Sequence, residues 1–200
     1  MTQEIEIEFK NIVTKNDFEK LLAAFTIEAS QFKKQVNHYF DTTDFQLKNH
    51  QCALRIREKN QKYTMTLKQP NQVGLLETHQ LLTKNEADIA LTGGKLPEGA
   101  LADHLFKCFK IDIKECLFLG SLITKRVEIP YHGGTLVFDH SFYLDEEDFE
   151  IEYEVTDEPK GKKIFDELFS KYHIPIVKTE NKIKRFFSKK LQTNKHGGIE

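Results

Sequence analysis

One pattern limits what this chain can fold into more than any other. Over much of its 200 residues, charged side chains recur at every second position, grouped by sign and opposed by apolar ones. Successive side chains of a strand point to opposite faces, so residues two apart share a face. In an N-terminal strand Glu4, Glu6, Glu8 and Lys10 therefore oppose Ile5, Ile7 and Phe9, and far down the chain Glu150, Glu152 and Glu154 oppose Ile151, Tyr153 and Val155. Arg55 and Arg57 oppose Leu54 and Ile56, Thr64, Thr66 and Lys68 oppose Met65 and Leu67, and Thr124, Arg126 and Glu128 oppose Lys125 and Val127. Glu77 with His79, and Asp139, extend the pattern.

The alternation, bounded by Gly, Asn, Asp and Pro, predicts strands over 3–10, 35–43, 51–58, 62–69, 74–82, 120–131, 134–141 and 148–156, with tight connections at Asn60-Gln61 and Gly133-Gly134. Helical spacing of apolar residues appears over 17–25, 100–109 and 160–172, with Pro159 suited to a first turn. Thr83 and Glu86 read as a capping box, and 181–191 as a basic C-terminal helix. The expected fold is mainly β within the α+β class: a closed eight-stranded antiparallel barrel with flanking helices. We expect a single domain over 1–191, a flexible tail over 192–200, and the least fixed loop at 91–99.

A solvated face of an antiparallel sheet also alternates polar with apolar. It does not ordinarily group three glutamates on one strand and two arginines on another, because like charges side by side repel. The grouping is explained if the sheet closes with its apolar faces outward under the helices, so that the charged faces meet inside. Carboxylates two apart on a strand suit a hard divalent cation such as Mg2+ or Mn2+, which takes oxygen ligands. Arginine offers phosphate a bidentate fork and lysine a point charge. Glycine-rich phosphate loops are absent, as are HExxH and GxSxG, so side chains must do the holding.

Composition narrows the classes. Twenty-nine basic against thirty-one acidic residues give a net charge of −2, without the excess that nucleic acid or an anionic membrane would draw. Three scattered cysteines, Cys52, Cys108 and Cys116, encode neither a disulfide framework nor a zinc cluster. The acidic start is unlike a signal peptide, and no apolar run approaches the roughly 18 residues of a membrane span, so a cytoplasmic location is expected. His38 and His79 read as structural donors, and Cys52 as a small core residue.

Glu6-Ile-Glu8-Phe-Lys10 matches the ExExK signature of the CYTH superfamily, the triphosphate tunnel metalloenzymes. Tyr39-Phe40-Asp41-Thr42, Leu54-Arg55-Ile56-Arg57, Thr66-Leu67-Lys68, Glu77, Thr124-Lys125-Arg126, Asp139, the Glu150/Glu152/Glu154 run, and Lys182 with Arg185 follow in that family's order. The chain thus resembles this superfamily over residues 4–185, and most closely its YjbK-like group from Gram-positive bacteria. The resemblance implies an antiparallel tunnel that hydrolyses or cyclises triphosphates with Mg2+ or Mn2+. Glu6, Glu8, Glu152 and Glu154 would be metal ligands, and Lys10, Arg55, Arg57, Lys68, Arg126, Lys182 and Arg185 would grip phosphates. Glu6, Glu8, Lys10 and Glu152 would carry the catalysis, Glu152 as a candidate for activating water. Asn181 stands where the family has serine.

The expected activity is metal-dependent hydrolysis of a small triphosphate, inorganic triphosphate foremost. Thiamine triphosphatase comes next and adenylate cyclase third, since no tryptophan is present to stack an organic leaving group. Outside catalysis, the same residues would suit a polyphosphate or nucleotide sensor. The expected partner is a small-molecule triphosphate, not nucleic acid or membrane, and the chain is expected to be a monomer or homodimer.

Overall fold

The computed structural model describes residues 1–196. Its strands are β1 (Thr2–Val13), β2 (Lys33–Asp41), β3 (Ala53–Lys59), β4 (Lys62–Pro70), β5 (Leu75–Leu82), β6 (Leu117–Tyr131), β7 (Gly134–Tyr143) and β8 (Glu146–Val155). Its helices are α1 (Lys15–Ala24), α2 (Gln46–Asn49), α3 (Lys84–Leu91), α4 (Ala100–Phe109), α5 (Glu158–Lys171) and α6 (Lys182–His196). The strands close into an antiparallel barrel in the order β1-β5-β4-β3-β2-β6-β7-β8. Among the described residues no helix is long and apolar enough to cross a membrane.

Turn chemistry sets where strands reverse. Asn60 and Gln61 both have positive φ, 53° and 60°, joining Lys59 to its partner Lys62 with the backbone twist that a two-residue hairpin needs. The other expected turn lies one residue earlier than Gly133-Gly134. His132 and Gly133 take the positive φ values, and Gly134 already pairs with Tyr131 in the ladder. Gly134 is needed for space instead, because a Cβ there would stand 2.5 Å from the Glu154 carbonyl oxygen.

Side chains cap the helices. Thr14 accepts from Asp17 N, starting α1 earlier than expected, Thr83 and Glu86 form the expected reciprocal box on α3, and Asp157 caps α5 ahead of Pro159. α2 and two 3-10 turns, Ala29–Gln31 and Ile113–Glu115, were not expected. The loop expected to be least fixed is tied down: Leu96 is buried, Lys95 Nζ donates to the Lys114 carbonyl at 2.7 Å, and Gln80 Nε2 donates to that of Glu98 at 3.2 Å. α6 continues to His196, past the expected helix end at residue 191, and 197–200 of the expected tail lie outside the described residues.

The chain divides into two compact units, one of Met1–Ile7 with Gln35–Ser121, the other of Glu8–Lys34 with the chain from Leu122 onward. In the first, Leu54 and Ile56 of β3 and Met65 and Leu67 of β4 pack in one cluster with Ala87 and Ala90 of α3 and Leu101 and Leu105 of α4. In the second, Val127, Leu136, Phe138, Ile151 and Tyr153 pack with Phe18 and Leu21 of α1 and Phe165, Leu168 and Phe169 of α5. Each fully buried aliphatic or aromatic side chain contributes about 1.5–3 kcal/mol. The apolar faces are thus turned to α1, α3, α4 and α5, as expected, which leaves the charged faces turned away from these four helices.

Candidate active site

Parity puts charges on a face; cross-strand register decides which meet. In the first unit Lys68 lies opposite Glu77, and Glu77 opposite Glu4. Lys68 Nζ donates to Glu6 Oε2 at 2.5 Å and pairs with Glu77, while the Arg55 guanidinium stands 3.9 Å from Glu77. His79 Nε2 lies 3.0 Å from Glu4 and 3.5 Å from Glu77, with Nδ1 2.9 Å from Thr66 Oγ1. Burial pushes the Glu77 carboxyl up, but Lys68 and Arg55 outweigh it and hold the group at about 2. Arg57 Nε donates to Oδ1 of its cross-strand partner Asn37 at 3.0 Å, which orients the guanidinium. The Nε of Arg55 is buried and has no hydrogen-bond partner.

In the second unit Arg126 lies opposite Asp139, and Asp139 opposite Glu150. Arg126 holds Asp139 through two hydrogen bonds, of 2.7 and 2.6 Å, and donates to Glu152 Oε2 at 2.6 Å. The Asn181 side chain accepts from Lys184 N at 3.0 Å and so caps α6; Lys182 and Arg185, three apart in the first turns, fall on one side of the helix. Lys182 Nζ is 2.8 Å from Asp139 and 2.5 Å from Glu152 and also donates to Glu150. Arg185 donates to Glu150 at 2.6 Å and to Asp148 at 2.9 Å, and Asp148 accepts in addition from the Tyr143 hydroxyl at 2.9 Å.

Burial and the neighbouring Glu152 raise the Glu150 carboxyl to about 7 against the pull of Lys182. Burial acts the same way on Glu152, yet Lys182 and Arg126 outweigh it and hold that carboxyl well below its usual range. Burial opposes the Lys182 charge, but Asp139, Glu150 and Glu152 together keep the ammonium well above its ordinary value.

Glu8 pairs with Lys10. Glu154 stands apart from the acids that Lys182 gathers: it is 3.7 Å from Arg126 with its side chain 36% exposed. The structure therefore brings together Arg126, Glu152, Lys182 and Arg185 from the expected set, and separately Glu6, Arg55 and Lys68. Asp139, Asp148, Glu150 and Glu77, absent from the expected ligand and phosphate sets, are central to these clusters. All except Asp148 stood in the family-ordered motifs, and Asp148 and Glu150 are in phase with the expected Glu152 on β8.

A divalent cation needs clustered hard oxygen donors, and Asp139, Glu150 and Glu152 bring carboxylate oxygens within 4.8 Å of one another. A positive charge already stands among them, the Lys182 ammonium, so the donor set fits a cation. Glu4, Glu77 and His79 form a second such group, in which Glu77 is engaged by Lys68.

A closed antiparallel barrel whose charged strand faces, joined by Lys182 and Arg185 of α6, interlock carboxylates with guanidinium and ammonium groups defines a protein equipped to bind multivalent ions of either sign. Residues 4–187 match the CYTH domain, and the chain belongs to that family. It is 47% identical over 193 residues to the Bacillus subtilis protein named "Putative triphosphatase YjbK", across 96% of this chain and all of that one. The crystal structure of a "putative adenylate cyclase" from Bacillus halodurans matches with a TM-score of 0.89 at 48% identity, over 94% of this chain and 100% of that one. At 22% identity, a Hippeastrum protein described as having a dominant triphosphatase activity shares the fold, with a TM-score of 0.78 over 92% of this chain and 96% of that one.

Proposed function

We propose that the protein is a divalent-metal-dependent triphosphatase whose substrate is a small triphosphate, inorganic triphosphate foremost. The observation that carries this reading is the buried, unpartnered Nε–H of Arg55 beside Lys68 and Glu77. A desolvated donor without an acceptor costs about 1–3 kcal/mol, and an anionic oxygen removes that cost with a charge-assisted bond. Family membership and the name of the B. subtilis relative support the same activity.

In this reading Arg55, Arg57 and Lys68 grip phosphate oxygens on one face, and Lys10, Arg126, Lys182 and Arg185 on another. Asp139, Glu150 and Glu152, with Glu8 and Glu154 on neighbouring positions of their strands, hold the metal; Glu6, also expected as a ligand, is engaged by Lys68. The metal supplies charge neutralisation and a water of lowered pKa. Glu152, kept ionised by Lys182 and Arg126, is suited to holding a cation more than to taking a proton, because a strongly acidic carboxyl is a weak base.

Phosphate release from inorganic triphosphate should require Mg2+ or Mn2+ and stop with EDTA; turnover that survives chelation would remove the metal from the reading. Arg57→Ala should raise KM and lower kcat, reducing kcat/KM about 10- to 100-fold, the loss of one charge-assisted fork. Lys59→Ala, at the end of β3, should change it little, and equal losses would mean that the β3 charges do not face substrate. The name of the B. halodurans relative favours a second reading, cyclisation of ATP. Its product would be cyclic AMP with pyrophosphate, which chromatography of an ATP incubation separates from ADP with phosphate. Thiamine triphosphate belongs in the same panel, and binding without turnover of any member would identify a sensor.

A further inference from the structure

Lys182 has two claims on it that it cannot meet at once. An ammonium has three N–H donors and no acceptor. In the structure three carboxylates surround it: Asp139 at 2.8 Å, Glu152 at 2.5 Å, and Glu150. Two of those donors are spent in hydrogen bonds to Glu150 and Glu152, and Asp139 holds the ammonium as a third ionic partner, so the carboxylates compete with any phosphate oxygen for it. A divalent cation taking the same carboxylates competes with the ammonium for their oxygens, since each oxygen turned to the metal is withdrawn from the lysine.

We propose that Lys182 is the resting counter-ion of the metal-binding carboxylates, displaced when a divalent cation binds and thereby released to engage the substrate. The inference rests on the triphosphatase reading and adds an order to it: metal entry and lysine release are one exchange. Asp139, Asp148, Glu150 and Glu152 face Arg126, Lys182 and Arg185, and Arg126 is shared in addition with Glu128 and Glu154, so acids outnumber bases in the cluster and a cation is drawn to it.

Of the three bases Lys182 is the one built to move. Arg126 is fixed in the middle of β6 and holds Asp139 by two parallel hydrogen bonds. Arg185 is divided among Glu150, Asp148 and the Glu180 carbonyl. Lys182 is the first residue of α6, with a flexible four-carbon stem that can swing its charge without unwinding the helix behind it.

Mn2+ binding to the full-length protein without any phosphate compound tests the exchange, read by the loss of the free-ion paramagnetic resonance signal. Lys182→Gln, which removes the competitor, should bind Mn2+ about 5- to 150-fold more tightly than wild type, the usual range for coupling between two ligands. Lys182→Arg should not gain, and Lys184→Gln, whose lysine is exposed and paired with Glu180, should match wild type. Equal or weaker binding by Lys182→Gln overturns the exchange and leaves metal dependence standing. Absence of Mn2+ binding in wild type and variants alike overturns both. Wild type alone gives a second reading that does not depend on a variant folding. The Lys182 ammonium should give a slowly exchanging 15N-lysine signal that Mg2+ abolishes, and its persistence at saturating Mg2+ overturns the proposal.

Discussion

Glu77→Gln is expected to destabilise the protein by about 3 kcal/mol at pH 7, lowering Tm by about 6–12 °C for a chain of this size. The size of the effect follows from what the carboxylate faces. Its side chain is 5% exposed, Lys68 pairs with it, and Arg55 has no other acidic partner among the described ion pairs. Glutamine keeps the shape but leaves the Arg55 charge buried with no counter-ion, and breaking one side of a buried pair is far more costly than never having had it. Lys68 retains Glu6, so the loss should fall short of collapse.

The same contribution can be read from pH dependence in the wild type. Lys68 and Arg55 hold the Glu77 carboxyl at about 2 against an ordinary 4.5. A depressed carboxyl stabilises fully above its unfolded value and loses that contribution as pH falls toward the folded one, so the wild type should lose these about 3 kcal/mol between pH 4.5 and 2. Denaturant melts of the two proteins should therefore converge through this window. Inorganic phosphate should narrow the gap at pH 7 by giving Arg55 an anionic partner. A variant as stable as wild type at pH 7 would mean that Glu77 is solvated and that Arg55 needs no acceptor.

How much of this was legible in the chain depends on the distance over which each contact is set. Period two sorted the strand faces, because Leu54, Ile56, Met65 and Leu67 alternate with Arg55, Arg57, Thr66 and Lys68 without interruption. The helix starts at Thr83 and Pro159 carry local signals and were readable. α2 was not: its amide donors at Leu47 and Lys48 are met by the Asp41 carboxylate, at 2.9 and 3.0 Å, and Phe45 enters it in the left-handed region.

The site divides the same way. Parity picked out Arg55, Lys68, Arg126 and Glu152, but parity on one strand says nothing of register. That Lys68 faces Glu77, and Arg126 faces Asp139 and then Glu150, is set by where neighbouring strands pair. Lys182 and Arg185 come from a helix at the far end of the chain, so only the family resemblance pointed to them. Glu154, alike in spacing to Glu150 and Glu152, lies farther along β8, opposite Thr135, where it stands 3.7 Å from the Arg126 guanidinium.

For Glu8→Gln, stability and activity are expected to part. The substitution removes one charge from a face where Glu8 pairs with Lys10 and also raises the Glu154 carboxyl, which burial already pushes up. Losing the pair with Lys10 costs stability and relieving the repulsion on Glu154 offsets part of that cost, so the metal-free Tm should change far less than turnover does. Activity should fall at least about 100-fold, since a ligand to a catalytic metal acts on the transition state by roughly 3 kcal/mol or more. Magnesium separates this loss from a simple misfolding. Saturating Mg2+ stabilises a protein that binds it by about 2.7 kcal/mol at one hundred times Kd, and the variant should need a higher concentration to gain as much. Melts with and without Mg2+, set beside the triphosphatase assay, give both quantities on one preparation. A variant with wild-type turnover and an unchanged Mg2+ shift would remove Glu8 from the metal site, and with it the ExExK strand from the mechanism.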